Sequence, residues 1–191
     1  NPDIWWHLSA GRWMARHLAL PRTDFLSHTM AGAKWVDFEW GAQLIYHGLY
    51  SSFGARGLLA LKLLLLGATV WTSVRLLALY GLGPSARGLG ALLLCAAILP
   101  VSDLRPDNFS LLFFNVLLFR LEAHRLGLEP PHRRTWAAAG LFFAVWANLH
   151  LAFLYGLLLI AIYAGAEGVQ ALLPLVYGRG KAGSRRDCRR Y

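Results

Sequence analysis

The spacing of apolar and polar positions changes near residue 56. Before it, hydrophobic residues are interleaved with Trp, His, Asp and Arg; after it, the chain is rich in Leu and Ala. The first apolar run covers 57–74, extends to Tyr80 and carries one charge, Lys62. About 20 apolar residues cross a bilayer as a helix, and the Lys62 stem is long enough to carry its ammonium to the interface. The second run, 89–101, reaches spanning length only with 81–88. The third, 109–119, continues amphipathically to Arg125; the fourth is 136–147; the fifth is 151–166, extending to 176. This pattern predicts an all-α, polytopic transmembrane helix bundle over 57–176 with about five spans. A soluble bundle of short buried helices is the alternative.

Residues 1–56 are expected to form an extracytoplasmic first loop of amphipathic helices. Asp3 and His7 lie four apart and share a helix face. Trp6, Trp13 and Leu20 form another stripe, and Arg12 and Arg16 a further pair, which suits a helix lying in the membrane interface. This helix should end before Pro21, with turns at 22–24 and 31–32. Glu39, Gln43, Tyr46, His47 and Tyr50 recur at helical spacing as a polar-aromatic face. That face reads either as an interfacial aromatic belt or as the lining of a cleft for a hydroxylated, ring-stacking ligand such as a sugar.

Composition agrees with a membrane protein. The chain is 57% hydrophobic and 15% charged, against about 25% charged for ordinary soluble domains. Its net charge of +9 would suit nucleic acid, but the distribution argues otherwise. Arg75 and Arg87, then Arg120, Arg125, Arg133 and Arg134, then the basic tail 177–191, fall in alternate connections. The opposite turns hold only Arg105. By the positive-inside rule the basic connections are cytoplasmic, so the excess charge faces anionic lipid and no nucleic-acid partner is expected. The acids Asp3, Asp24, Asp37, Glu39, Asp103 and Asp107 sort to the outer face. Cys95 and Cys188 lie too differently to be read as a pair. The chain opens on Asn1 without a signal peptide, and the helix delivering the first loop is expected outside it, so the sequence reads as a fragment. The tail reads as disordered or truncated.

Three outer turns carry the candidate chemistry. Asp3 reads as a helix cap or as a reactive carboxylate; Asp37 reads as a cap or a second acid. Arg105 lies among acids in Asp103-Leu104-Arg105-Pro106-Asp107-Asn108. It suits either a salt bridge to Asp3, Asp37 or Glu39, or bidentate binding of a phosphate. Asp107 or Asn108 is expected to cap the next helix. Asn148 and His150 stand at membrane depth, where polar groups are costly and often functional; a helix-packing hydrogen bond is the simpler reading.

Asp3-Ile4-Trp5-Trp6-His7, the Pro21-x-x-Asp24-x-x-Ser27 step and the Gly32-x-x-Trp35-Val36-Asp37-x-Glu39-Trp40 step together resemble the first loop of the GT-C class of membrane glycosyltransferases. That class includes oligosaccharyltransferase catalytic subunits, protein O-mannosyltransferases and the lipid A aminoarabinose transferase. Arg105-Pro106-x-x-Phe109-Ser110 and Trp146-Ala147-Asn148-Leu149-His150 also look like bacterial multi-pass proteins of this type. The likeness covers roughly residues 1–170. It implies a bacterial inner-membrane enzyme with a polyprenyl-phosphate sugar donor, a glycan, lipid or protein acceptor outside the membrane, and inversion at the anomeric carbon. Asp3 matches the first-loop acid, a base or metal ligand in the class, with Asp37 or Glu39 as a second acid. Asp3 is followed by Ile4, unlike the tandem acids of the mannosyltransferases. Glycosyl transfer needs a carboxylate to take the acceptor proton and a cation for the leaving phosphate. The expected roles are Asp3 as base with His7 as alternate, Arg105 on the phosphate with His150 assisting, and Gln43, His47 and Asn148 in binding. A divalent cation, Mg or Mn, is expected to assist if Asp3, Asp37 and Glu39 converge. A transporter with a charged outer gate and a non-catalytic scaffold are the competing classes. Absence of an internal repeat, and charge at the surface rather than the midplane, favour the enzyme over the transporter.

Overall fold

The structure, a computed structural model, describes residues 2–98, 103–128 and 133–176, with side chains omitted at 133–134 and 174–176. The expected basic tail, 177–191, lies outside the described residues.

The first helix, α1 (Asp3–His17), starts after Pro2, whose φ of −65° is already helical. Asp3 in its first turn and Arg16 and His17 in its last suit the helix dipole. Leu18 adopts a left-handed conformation, φ 50°, and its N–H returns to the Met14 carbonyl. The helix therefore stops before the expected end near Pro21. Asp3 does not cap it by a side-chain hydrogen bond, which corrects that reading.

A loop then folds back on α1. The Pro21…Ser27 step is a turn held by Asp24, whose Oδ1 accepts the N–H groups of Leu26 (2.8 Å) and Ser27 (3.0 Å). The Ser27 hydroxyl, which donates to Asp24 Oδ2, holds the Asp24 carboxyl below its ordinary range, helped by these N–H groups. Gly32, at φ 82°, takes the bend that the return requires. Trp13, Phe25 and Trp35 stack in series, at 5.1 and 5.5 Å between centroids.

Six more helices follow: α2 (Trp40–Phe53), α3 (Ala55–Leu79), α4 (Pro84–Ile98), α5 (Asp107–Arg125), α6 (Arg133–Leu149) and α7 (Phe153–Val176). The described chain is all-helical, with no strand; Thr23 and Lys34 form one isolated bridge. Each expected apolar run falls mainly on one of α3 to α7, the end of the second, 99–101, lying outside the described residues. Among the described residues, only Ala55–Leu79 and Phe153–Leu173 are long and apolar enough to cross a membrane. At 1.5 Å per residue α3 is about 38 Å long, whereas the 15-residue α4 is about 23 Å. The 19-residue α5 has the length but carries Asp107, Arg120, Glu122 and Arg125.

Chain contacts divide the protein into two units, Asn1–Gly156 and Leu157–Tyr191, the second holding most of α7. In the first unit α1 packs on α2, and α3 packs on α5 and α4. Trp5 meets Tyr50, His7 meets Tyr46, and Gly11 meets Gln43 and His47, so α1 and α2 run antiparallel. Their core holds Leu8, Ala42 and Tyr46 and continues through Leu58 and Leu65 of α3, Phe109 of α5 and Leu149 of α6. The α3–α5 seam is polar at its middle. Asn115 donates to the Thr69 carbonyl (2.8 Å) and to Ser73 Oγ (2.6 Å). The outward faces of α3 and α4 are apolar: Leu59, Leu63, Leu64, Trp71, Leu89, Leu92 and Leu93 are each more than half exposed.

Candidate functional site

Two close approaches bring α1, the start of α2 and the end of α6 together. At Gly11 a Cβ would stand 2.3 Å from the Gln43 carbonyl oxygen, so glycine sets how near α1 lies to α2. At Gly41 a Cβ would stand 2.6 Å from the Asn148 carbonyl oxygen, so the end of α6 sits directly on the start of α2. Trp40 Nε1 donates to Asn148 Oδ1 at 2.8 Å across the same junction.

Glu39 is the centre of the result. It precedes α2, and its side chain is 24% exposed. His150 Nε2 lies 3.5 Å from its Oε1, and His7 Nδ1 lies 3.9 Å from its Oε2. Asp37 sits behind it. Asp37 Oδ1 accepts the Glu39 N–H and Gln43 Nε2, both at 3.0 Å, so it organises the helix start without being the formal cap. Asp3, at the start of α1, is ion-paired with Arg105 from the turn before α5.

The charges act on one another. Burial first, then repulsion from Asp37 and Asp107, raises the Glu39 carboxyl above its ordinary value, with Arg105 opposing. Burial raises Asp37 as well. His7 is 3% exposed. Burial pushes its imidazole down to about 4, reinforced by Arg105 and His150 and opposed by Asp3. Burial lowers His150, and Asp107 opposes. Near neutral pH two uncharged imidazoles thus flank Glu39, whose carboxyl is raised above its ordinary value. Four buried polar atoms here have no hydrogen-bond partner: His7 Nδ1, Asp37 Oδ2, Gln43 Oε1 and Tyr46 Oη. Such atoms are rare in cores, where a buried polar group ordinarily has a partner in protein, water or a bound ion.

Of the expected residues, Asp3, His7, Asp37, Glu39, Gln43, Arg105, Asn148 and His150 belong to this assembly. His47 stands apart. It lies against Gly11, and its lowered imidazole, set mainly by burial, feels Arg12 and Arg16. The Glu39–Tyr50 face is not an open cleft either: Gln43 and Tyr46 are fully buried, because this face packs on α1. Asp107 begins α5 and neither it nor Asn108 caps it; Asn108 instead donates to the Asp103 carbonyl at 2.7 Å. Among the described residues, no three His, Cys, Asp or Glu side chains are disposed to hold one metal ion. Asp3 is turned to Arg105, and Asp37 Oδ1 to Gln43 and the Glu39 N–H.

Two residues carried no role in the sequence. Ser110 Oγ lies 2.9 Å from His150 Nδ1, and Trp146 Nε1 donates to Ser110 Oγ at 2.8 Å. Both lie inside motifs noted above, but their contact joins α5 to α6, which spacing along one helix does not reveal. Beside the Asp3–Arg105 pair, a pocket of about 310 Å³ is lined by Ile4, Trp5, Leu8, Tyr50, Leu58 and Leu104, with Lys62 and Asp103 also present. Compared with protein-family models, curated proteins and solved structures, the chain matches none.

Proposed function

We propose that this chain carries the outer-face site of a multi-pass membrane glycosyltransferase that moves a sugar from polyprenyl phosphate to an extracytoplasmic acceptor. The observation that carries the reading is Glu39, a half-buried carboxylate with no Lys or Arg bonded to it among the described residues, standing among Asp37, His7 and His150 and within the field of Arg105. In this reading α3 to α7 all cross the bacterial inner membrane, the shorter ones in a locally thinned bilayer, and the apolar pocket beside Arg105 takes the start of the lipid chain.

The base is Glu39 in place of Asp3. Asp3 already holds Arg105, and its part is to aim the guanidinium. The acceptor hydroxyl oxygen attacks the anomeric carbon; the bond from that carbon to the phosphate oxygen breaks, and its electron pair leaves with the phosphate. Glu39 takes the hydroxyl proton and Arg105 stabilises the phosphate charge. Attack from the face opposite the phosphate inverts the anomeric centre. A raised carboxyl is the better base here, because its proton affinity approaches that needed near neutral pH.

The test is transfer of radiolabelled hexose or pentose from polyprenyl phosphate to envelope acceptors, by the chain in liposomes. Glu39→Gln is expected to lower transfer by about a hundredfold or more with an unchanged melting temperature. Transfer retained by Glu39→Gln would overturn its role, and no transfer by the unaltered chain from either donor would overturn the function. A divalent cation is a separate proposal: loss of transfer in EDTA, restored by Mg or Mn, would add it to the mechanism.

A further inference from the structure

The hydrogen bonds around His150 fix which of its nitrogens carries the proton. Ala152 N–H points at Nδ1, 3.3 Å away. An N–H can donate there only if Nδ1 is bare. Ser110 Oγ lies 2.9 Å from the same nitrogen. Trp146 Nε1–H donates to Ser110 Oγ, so the hydroxyl hydrogen is free to donate on to Nδ1. In the neutral imidazole the proton must then be on Nε2, the atom 3.5 Å from Glu39 Oε1.

We infer that Ser110 and Trp146 are positioning residues that lock His150 as its Nε2–H tautomer, so that this N–H holds the Glu39 carboxylate in one orientation. The chain of donors runs from Trp146 through Ser110 to His150, whose Nε2 faces Glu39 Oε1 at 3.5 Å. Each link is anchored. Trp146 is fully buried among Phe113, Phe142 and Phe143, and Ser110 is 6% exposed in the first turn of α5. His150 directly follows α6, with its N–H on the Trp146 carbonyl at 3.0 Å. A buried serine whose hydroxyl both accepts from an indole and donates to an imidazole leaves that imidazole one tautomer. The function of this lock rests on the transferase reading; the lock itself does not.

The test is therefore in two parts. The full chain is labelled with ¹⁵N-histidine in lipid nanodiscs, and the His150 signals are identified by their loss in His150→Gln. Long-range ¹⁵N–¹H correlation at neutral pH is expected to show the Nε2–H pattern. Ser110→Ala and Trp146→Phe should each shift His150 toward mixed tautomers, and Ser110→Thr, which keeps the hydroxyl, should restore one. An Nδ1–H or mixed pattern in the unaltered chain, or no change in Ser110→Ala, overturns the lock. In the transfer assay, Ser110→Ala is expected to lower kcat by about tenfold or more, with KM changed little, as when an imidazole loses the partner that fixes its tautomer. Ser110→Thr should recover most of it. A tautomer lock seen by resonance alongside full kcat in Ser110→Ala overturns the positioning role. Resonance as expected in a chain that transfers nothing overturns the transferase reading and leaves the lock standing.

Discussion

At the scale of single residues, the pH behaviour of the fold follows from His7. In the unfolded chain its imidazole titrates near 6.5; in the fold, burial pushes it to about 4. Between those values the unfolded chain binds a proton that the folded chain refuses, so stability is lost as pH falls from about 6.5 to about 4. His150 and His47, also lowered, act in the same direction. Asp37 and Glu39, both raised, take up protons earlier when folded and so offset part of the loss. Thermal melting from pH 7 to 4.5 checks this: His7→Phe should flatten the decline, and identical slopes would contradict the burial argument. The Asp3–Arg105 pair is about half and a third exposed on its two sides, and such pairs contribute about 1 kcal/mol or less. Asp3→Asn should therefore change the melting temperature by only a few degrees while lowering transfer. A large loss of stability would make Asp3 a structural residue. Much of this was legible in the sequence, since Asp3, Asp37, Glu39, Arg105 and His150 stand out by type in outer turns. Which carboxylate pairs with the one cation was not legible. Three acids lie within reach on paper, and only the fold turns Asp3 to Arg105 and Glu39 to the imidazoles.

At the scale of elements, two glycines in the same kind of position should respond oppositely. Gly11 lies inside α1 where a Cβ meets the Gln43 carbonyl, whereas Gly48 lies inside α2 with nothing within 4 Å. Gly11→Ala should destabilise by about 1–3 kcal/mol, as overpacked sites do. Gly48→Ala should stabilise by up to about 1 kcal/mol from helix propensity alone. Chemical or thermal unfolding of the two variants checks both, and equal effects would mean that α1 does not sit so close to α2. Asn115 is the cross-link of the α3–α5 seam; Asn115→Leu should loosen it, read as faster amide exchange in the flanking turns of both helices. Helix positions were legible because apolar runs and prolines mark them, and the five expected runs each fall mainly on a helix. The inward turn of Gln43 and Tyr46 was not: a polar-aromatic stripe looks the same whether it faces solvent or packs on α1 through the gap that Gly11 leaves.

At the scale of the whole chain, the open question is what solvates its apolar surface. In α3 and α7, the two candidate spans among the described residues, only 17% and 6% of the most apolar stretch is buried, and exposed apolar faces of this kind mark contact with a membrane or a partner. The proposed function answers this with a membrane, and the distribution of Arg would then set which ends of the helices meet the cytoplasm. The number of spans was less legible than the number of helices, because α4 and α6 are short and α5 is charged. The central claim is that the Glu39 assembly stands on the outer face of that membrane, opposite the basic turns. The most direct measurement is labelling of single cysteines in intact spheroplasts by a membrane-impermeant maleimide, with Cys95 and Cys188 replaced by serine. Met30 and Leu128, each 60% exposed, report the two faces. The expected result is labelling of Met30→Cys from outside and of Leu128→Cys only after permeabilisation. Equal labelling of both, or the reverse order, would contradict the outer-face site and the transfer reaction built on it.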